Sequence, residues 1–416
     1  MNERSDQTSR LLQGHYGGAV SGDQFWPRPE VVDNLVETLK AGESVSLFGL
    51  RRIGKSSAMK EAARIIELDA KAHIIVEIDA QDFNALDKLL TEILLKLPTD
   101  GALFDNLKKK LVANRFLPEG LKKGFELLFK NKGGGDSELA KHLPSFWQPV
   151  CNEITAAIKE SGVQLILMID EFPYMCKNLL AHEGGRDFVD TLLATFRQWR
   201  AGPITMVISG SIGMKFLIRE YQLEFVHFND CISIDIHPLT QRAEAQEMVN
   251  ALVANSTAKG WLPETTETLL DEVAAFYPSF IQYAFSRIKA ARAFGGEQVE
   301  DLFAEQIRPA WDVTFFAQFD GRLKIYDVPL RDLSRVVFAQ IAADDGLVNR
   351  EAFDEVVDLD ETLQILKEDG FLACRVARDG SECWRLSSPL VSIWWQQRGK
   401  KNRNLAAKKN NKGLNQ

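Results

Sequence analysis

The sequence contains no apolar run approaching the roughly 18 to 20 residues that a membrane-crossing helix needs. Its longer apolar stretches, such as Leu165 to Ile169, are of strand length. The opening MNERSDQTSR is polar and has no apolar centre, so a secretory leader is not expected there. Cysteine is scarce: the five residues Cys151, Cys176, Cys231, Cys374 and Cys383 are scattered, without the close pairs that metal ligation uses. They are expected as reduced thiols, and the protein is expected in the cytoplasm with no membrane partner. An excess of positive charge is also missing. The net charge of −8 argues against generalised attraction to nucleic acid, which leaves room only for a local patch.

What is present is the composition of a globular protein, 45% hydrophobic and 26% charged over 416 residues. That length exceeds one ordinary core, so about two or three domains are expected. Within 25–40, the apolar positions Val31, Val32, Leu35, Val36 and Leu39 have helical spacing after a proline-containing entry. SVSLFGL then reads as a buried strand, SSAMKEAARIIELDAKA as a helix and HIIVEIDA as a second strand. Further on, VQLILMIDE, ITMVISGS and CISIDIHPL have strand length, separated by helical stretches such as RDFVDTLLATFRQWR. Alternating strands and helices predict an α/β fold with a doubly wound parallel sheet.

The expected organisation is an N-terminal segment 1–24, an α/β core 25–239, a helical lid 240–329, a winged helix 330–398 and a basic, disordered tail 399–416. A helical insertion at about 98–145, punctuated by glycines 133–135, interrupts the core. Its lysines Lys108, Lys109, Lys110, Lys122 and Lys123 read as the solvated face of amphipathic helices. The winged helix rests on three short helices, in RDLSRVVFAQIAA, NREAFDEVV and ETLQILKEDG, followed by a hairpin turning at Asp379-Gly380. Trp394 and Trp395 are expected to dock a last helix back onto that core. Around the third helix stand Asp358, Asp360, Glu361, Glu368 and Asp369 against Lys367, a face that phosphates repel. Arg375, Arg378 and Arg385 on the hairpin are kinder to a nucleic-acid backbone, so DNA is admitted as a partner but protein docking or autoinhibition is preferred.

The strongest chemical signal is Gly49-Leu50-Arg51-Arg52-Ile53-Gly54-Lys55-Ser56, a complete G-x-x-x-x-G-K-[ST] between a predicted strand and a predicted helix. Glycines let the backbone wrap closely enough for N–H groups to face phosphate oxygens, and the helix N-terminus adds positive potential. The motif predicts ATP and Mg2+ as ligands, with Lys55 on the β and γ phosphates and the Ser56 hydroxyl on the metal; Ser57 completes the loop. A second signal is LILMIDE, a buried strand ending in two carboxylates at the sheet edge where ligands sit. Asp170 is expected at the metal and Glu171 as the base that polarises water. Ser209 and Ser211 in ITMVISGS are either donors to the γ phosphate or lytic water, or simply a turn entry.

Together FGLRRIGKSS, the Phe25-Trp-x-Arg-x-Glu30 element, LILMIDE and VISGS resemble prokaryotic AAA+ ATPases close to the STAND class and to origin-recognition ATPases. The resemblance implies a P-loop ATPase core, a lid and often a C-terminal winged helix. It also implies that Arg28 and Glu30 help form the adenine side of the pocket. A nucleotide-controlled molecular switch, in signalling or defence and working as a homo-oligomer or with a protein partner, is the reading it favours. The alternative is a DNA-associated loader acting in replication or on mobile elements. Two departures stand out. Where the family carries an arginine in a Leu-x-Gly-Arg stretch, this chain has EFVHFNDC, with Asn229 and Asp230. Where the lid carries a Gly-Gly-x-Pro-like turn, it has Phe276-Tyr277-Pro278-Ser279, in which Pro278 alone matches and is expected to touch nucleotide. Slow or partner-stimulated hydrolysis follows, with Arg197, Arg200 and Arg219 as stand-ins for the missing arginine. Arg51 and Arg52 are read either as facing a neighbouring subunit or as surface salt bridges.

Overall fold

The computed structural model describes residues 12, 17–69, 73–130, 135–223, 228–273, 275–311, 315–343, 347–353 and 358–398. Glycines 133 and 134, residues 224–227 of EFVHFNDC, the end of NREAFDEVV and the tail 399–416 therefore lie outside the described residues. The chain divides into two compact units, Ala19–Gly49 with Lys55–Ile236, and Met1–Gly18 with Leu50–Gly54 and His237–Gln416.

The first unit is built on five parallel strands in the order β2-β3-β4-β1-β5. They are β1 (Ser44–Phe48), β2 (His73–Asp79), β3 (Gln164–Asp170), β4 (Ile204–Gly210) and β5 (Cys231–Ser233). Every residue of β4 is buried, and so are the five central residues of β3. Such unbroken apolar runs arise because helices cover both faces of a parallel sheet. α1 (Pro29–Lys40) packs on β1, while α2 (Lys55–Asp69) and α3 (Leu86–Lys96) pack on β2. The five apolar positions that predicted α1 are all buried, and Pro29 opens the helix where no N–H is needed. α4 (Gly101–Leu111), α5 (Glu119–Lys130) and α6 (Asp136–Ser161) pack together between β2 and β3 in sequence, α6 running past the expected bound of 145. On these helices Lys108, Lys109 and Lys123 are exposed, as the solvated-face reading expects, whereas Lys110 and Lys122 are half-buried and paired with Glu160 at 2.8 Å and with Glu119. α7 (Phe172–Leu180) and α8 (Gly185–Arg200) pack on β4, and α9 (Met214–Tyr221) precedes β5. The edge strand β5 is shorter than the run CISIDIHPL predicted; only Cys231–Ser233 pair with β1.

The second unit carries α10 (Arg242–Ala254), α11 (Pro263–Glu272), α12 (Pro278–Ala291), α13 (Gly296–Leu302), α14 (Arg308–Trp311) and α15 (Ala317–Ile325). A π-helical turn, Phe303–Ile307, joins α13 to α14. Next come α16 (Val328–Ala343), β6 (Val348–Asn349), α17 (Leu359–Glu368), β7 (Leu372–Val376), β8 (Glu382–Leu386) and α18 (389–398). The described part of NREAFDEVV is a 3-10 turn, Arg350–Phe353. β7 and β8 form the expected hairpin, with Gly380 at φ 84 in its turn, and β6 adds a third strand. Trp394 of α18 is 1% exposed and packs on Phe319, Phe338 and Phe371, as the docking expectation required. Beside this core Asp369 is buried, accepting from the Tyr326 hydroxyl and, through its carbonyl, from Arg322. Burial, joined by the Asp369 charge, pushes the Tyr326 hydroxyl well above its ordinary range.

Among the described residues no helix is long and apolar enough to cross a membrane. All five cysteines are free, and burial, opposed by the Arg200 charge and joined by that of Asp230, pushes the Cys231 thiol up to about 11. On α6, the buried indole N–H of Trp147 donates to the Thr195 hydroxyl of α8 at 2.9 Å. Thr195→Val strands that donor in an apolar setting. It should lower unfolding free energy by about 1–3 kcal/mol in a denaturant titration; an unchanged midpoint would contradict the role given to this bond.

Candidate functional site

Strand order brings the predicted residues together. β4 lies between β3 and β1, with Ile169 opposite Ile208 and Leu47 opposite Ser209. The C-terminal ends of three neighbouring strands therefore deliver Asp170 and Glu171, then Ser209 to Ser211, then Gly49 to one edge. In an open parallel sheet this edge is where ligands bind.

The loop after β1 turns on two glycines, Gly49 at φ 145 and Gly54 at φ 104, values that a side chain strongly disfavours. Helix α2 begins at Lys55, so its first N–H groups open toward the loop. Lys55 is 5% exposed, and its ammonium donates to the Gly49 carbonyl at 3.1 Å, spanning the loop from end to start. Ser57 accepts a hydrogen bond from the Val20 N–H at 3.1 Å, tying the start of α2 to the segment before α1. Leu50 and Ile53 are buried, whereas Arg51 and Arg52 are exposed. Arg52 also adopts φ 65, a left-handed conformation that costs a non-glycine residue about 1–2 kcal/mol.

Asp170 is the hub. Its Oδ2 accepts from the Ser56 hydroxyl, which comes from 114 residues away. Its Oδ1 accepts from the Ser209 hydroxyl at 2.8 Å and from the Glu171 N–H at 3.0 Å. Glu171 itself has φ 53 and caps α7 from a left-handed conformation. Its Oε2 accepts both the N–H and the hydroxyl of Ser211, at 3.0 and 2.8 Å. Ser209 and Ser211 are fully buried, and each donates its hydroxyl to one carboxylate, a role distinct from both the phosphate or water donor and the turn entry expected of them. A hydroxyl and a carboxylate oxygen converging at the start of a helix form a hard oxygen donor set suited to Mg2+. Beside them the loop offers N–H groups and an ammonium to phosphates.

Other predicted residues are placed less centrally. Arg28 is 8% exposed at the N-cap of α1, after the buried Phe25 and Trp26, and Glu30 is exposed in that helix's first turn. Pro278 opens α12 in the other compact unit. Of the arginine stand-ins, Arg197 is exposed and Arg219 half-buried. Arg200 is committed elsewhere: its side chain is 2% exposed and grips Asp230 through Nε at 2.9 Å and a terminal nitrogen at 2.8 Å. Burial opposes ionisation of Asp230, yet the Arg200 guanidinium holds its carboxyl below the usual range. The acid at the position of the expected arginine thus immobilises another arginine. Asp79, the last residue of β2, lies opposite Asp170; its signal in the sequence was an acid near the end of HIIVEIDA, as in LILMIDE.

A glycine-turned loop from β1, an acidic strand end two strands away and a serine-bearing strand between them lie on an α/β fold like that of AAA+ P-loop proteins. Two solved structures share it over nearly the whole chain. One is the Walker-type ATPase PABY2304 of Pyrococcus abyssi, 14% identical, covering 92% of this chain and 99% of that one with a TM-score of 0.53. The other is the ORC2 protein of Aeropyrum pernix in its ADPNP-ADP complexes, 12% identical, covering 94% and 98% with a TM-score of 0.51. No protein-family model matches the chain, and no curated protein matches it in sequence.

Gly210, between the two serines, leaves no room for a side chain. A Cβ there would lie 2.5 Å from Cδ and 2.7 Å from Cγ of Pro173, two residues after Glu171. Gly210→Ala must displace the start of α7, and is expected to cost about 1–3 kcal/mol of stability by thermal unfolding. An unshifted melting curve would show that this approach is not tight.

Proposed function

We propose that this protein binds ATP with Mg2+ at Gly49 to Ser56 and hydrolyses it, and that the nucleotide state controls a conformational or assembly change. The observation that carries the reading is the Ser56–Asp170 hydrogen bond, which joins the helix start of the loop to the acidic end of β3. Lys55 meets the β and γ phosphates, and the N–H groups from Gly49 to Ser57 line the phosphate chain through Leu50, Arg51, Arg52, Ile53 and Gly54. Ser56 and Asp170 would hold Mg2+, which supplies neutralisation of charge on the phosphate oxygens. Arg28 borders the adenine side, and Pro278 opens α12 of the helical segment that we read as a lid.

Glu171 acts on water. Its carboxylate takes a proton as the water oxygen bonds to the γ phosphorus; the bond to the β–γ bridging oxygen breaks and its electron pair leaves with ADP. Ser209 keeps the Asp170 carboxylate aimed at the loop, and Ser211 keeps Glu171 in place. With Asp230 and Arg200 paired near the expected arginine, hydrolysis is slow by itself and quickened by a partner.

We read the C-terminal elements from α16 to α18 as a winged helix that docks protein, in a homo-oligomer or with an effector. Support comes from α17, whose first turn is acidic and whose Asp360 is engaged by Arg350. A second reading, a DNA-associated ATPase, draws on the hairpin: Arg375 and Arg385 stand on one exposed face and Arg378 in the turn. Stimulation of ATP hydrolysis by duplex DNA, lost when these three arginines are neutralised, favours the second; indifference to DNA favours the first.

Glu171→Gln keeps an oxygen acceptor for Ser211 but cannot take a proton. Under single-turnover conditions it should still bind ATP and hydrolyse it about 10²–10⁴ times more slowly. Equal rates in the variant and the wild type would remove Glu171 from this role.

A further inference from the structure

The tip of the phosphate loop, Leu50–Gly54, belongs to the same compact unit as the chain from His237 onward. Two contacts within that unit converge on Arg52. The Ser279 hydroxyl, 227 residues away in sequence, donates to the Arg52 carbonyl oxygen at 2.5 Å. The Arg52 guanidinium stands over the Phe315 ring, 5.5 Å from its centroid, in a cation–π arrangement. Phe315 is itself fixed. It stacks on Phe280 with centroids 3.7 Å apart and meets Tyr283 edge-on at 5.5 Å, all three rings being buried. Ser279 and Phe280 are consecutive residues in the first turn of α12. One helical turn therefore supplies both the hydroxyl on the Arg52 main chain and the ring, Phe280, that backs Phe315.

The residue so gripped is one that would not hold its conformation unaided. Arg52 has φ 65, and a left-handed residue with a Cβ persists where its surroundings over-determine it. It stands three residues before Lys55, so the setting of its peptide fixes the direction in which the following N–H groups face the ligand.

We propose that Ser279 and Phe315 are positioning residues of the nucleotide site. They hold Arg52 left-handed and thereby keep the Gly49 to Ser56 loop in its phosphate-binding form. This rests on the ATP-binding reading above, and the two are separable: absence of Mg2+-dependent binding of a fluorescent ATP analogue to the wild type rejects that reading, whereas the comparisons below reject this one.

The experiment measures analogue affinity, together with KM and kcat for ATP, in full-length Ser279→Ala, Ser279→Thr, Phe315→Leu and Arg52→Gly proteins and in the Ser279→Ala/Arg52→Gly double variant. Loss of one hydrogen bond should weaken Ser279→Ala about fivefold, chiefly in affinity and KM. Ser279→Thr retains a hydroxyl and should bind as the wild type does, and Phe315→Leu should weaken binding as Ser279→Ala does. Glycine accepts φ 65 without help, so Ser279→Ala should add no further loss in the Arg52→Gly background. Wild-type affinity in both Ser279→Ala and Phe315→Leu overturns the proposal, and so does a Ser279→Ala loss of equal size in both backgrounds. Should Ser279→Ala prove poorly folded by its melting curve, the Ser279→Thr and Phe315→Leu affinities carry the same decision.

Discussion

The arrangement depends on one carboxylate. Asp170 stands at the end of β3, where the sheet stops and helix α7 starts, and it accepts from Ser56, Ser209 and the Glu171 N–H at once. Two strand ends, those of β3 and β4, and the first turn of α2 are thus fixed against one another by a single side chain. A carboxylate accepting several hydrogen bonds at a half-buried sheet edge is restrained in position, which is what a metal ligand requires of its surroundings. The strand order β3-β4-β1 makes the convergence possible, because it puts the serine-bearing strand between the acid and the loop.

Around this hub, strain and restraint are paired. Glu171 and Arg52 are both left-handed without being glycine, and each has its conformation secured by a serine, Ser211 at the Glu171 carboxylate and Ser279 at the Arg52 carbonyl. Positions of this kind cluster where function needs a fixed backbone. Close packing does the rest: Gly210 lets Pro173 approach the end of β4, so the turn that carries Glu171 cannot drift away from the serines.

Much of this was legible in the sequence, for local reasons. Strands β1 to β4 announced themselves as short apolar runs, α1 by its spacing and the loop by its glycines. The acid pair at Asp170 and Glu171 was found because it ends a buried strand. What escaped notice are relations across the chain. The sequence offered Ser209 and Ser211 as donors or turn formers, and only strand register shows which carboxylate each one meets. Arg200 was a candidate for catalysis because an exposed and a buried arginine look alike in a string; its grip on Asp230, thirty residues on, is a tertiary fact. Ser279 was noted only as the neighbour of Pro278, since nothing local ties it to Arg52. The end of CISIDIHPL has strand composition, but its ladder with β1 stops at Ser233, with one last bond from the Ile234 N–H to the Ser46 carbonyl.

The central claim is that Ser56 and Asp170 together hold the metal of a bound nucleotide. Mn2+ in place of Mg2+ reports on this directly, because its electron paramagnetic resonance spectrum separates bound from free ion. With ATP present the wild type should hold Mn2+, and Asp170→Asn should lower that affinity about tenfold or more. Undiminished Mn2+ binding by the variant, at the same ATP occupancy, would contradict the account.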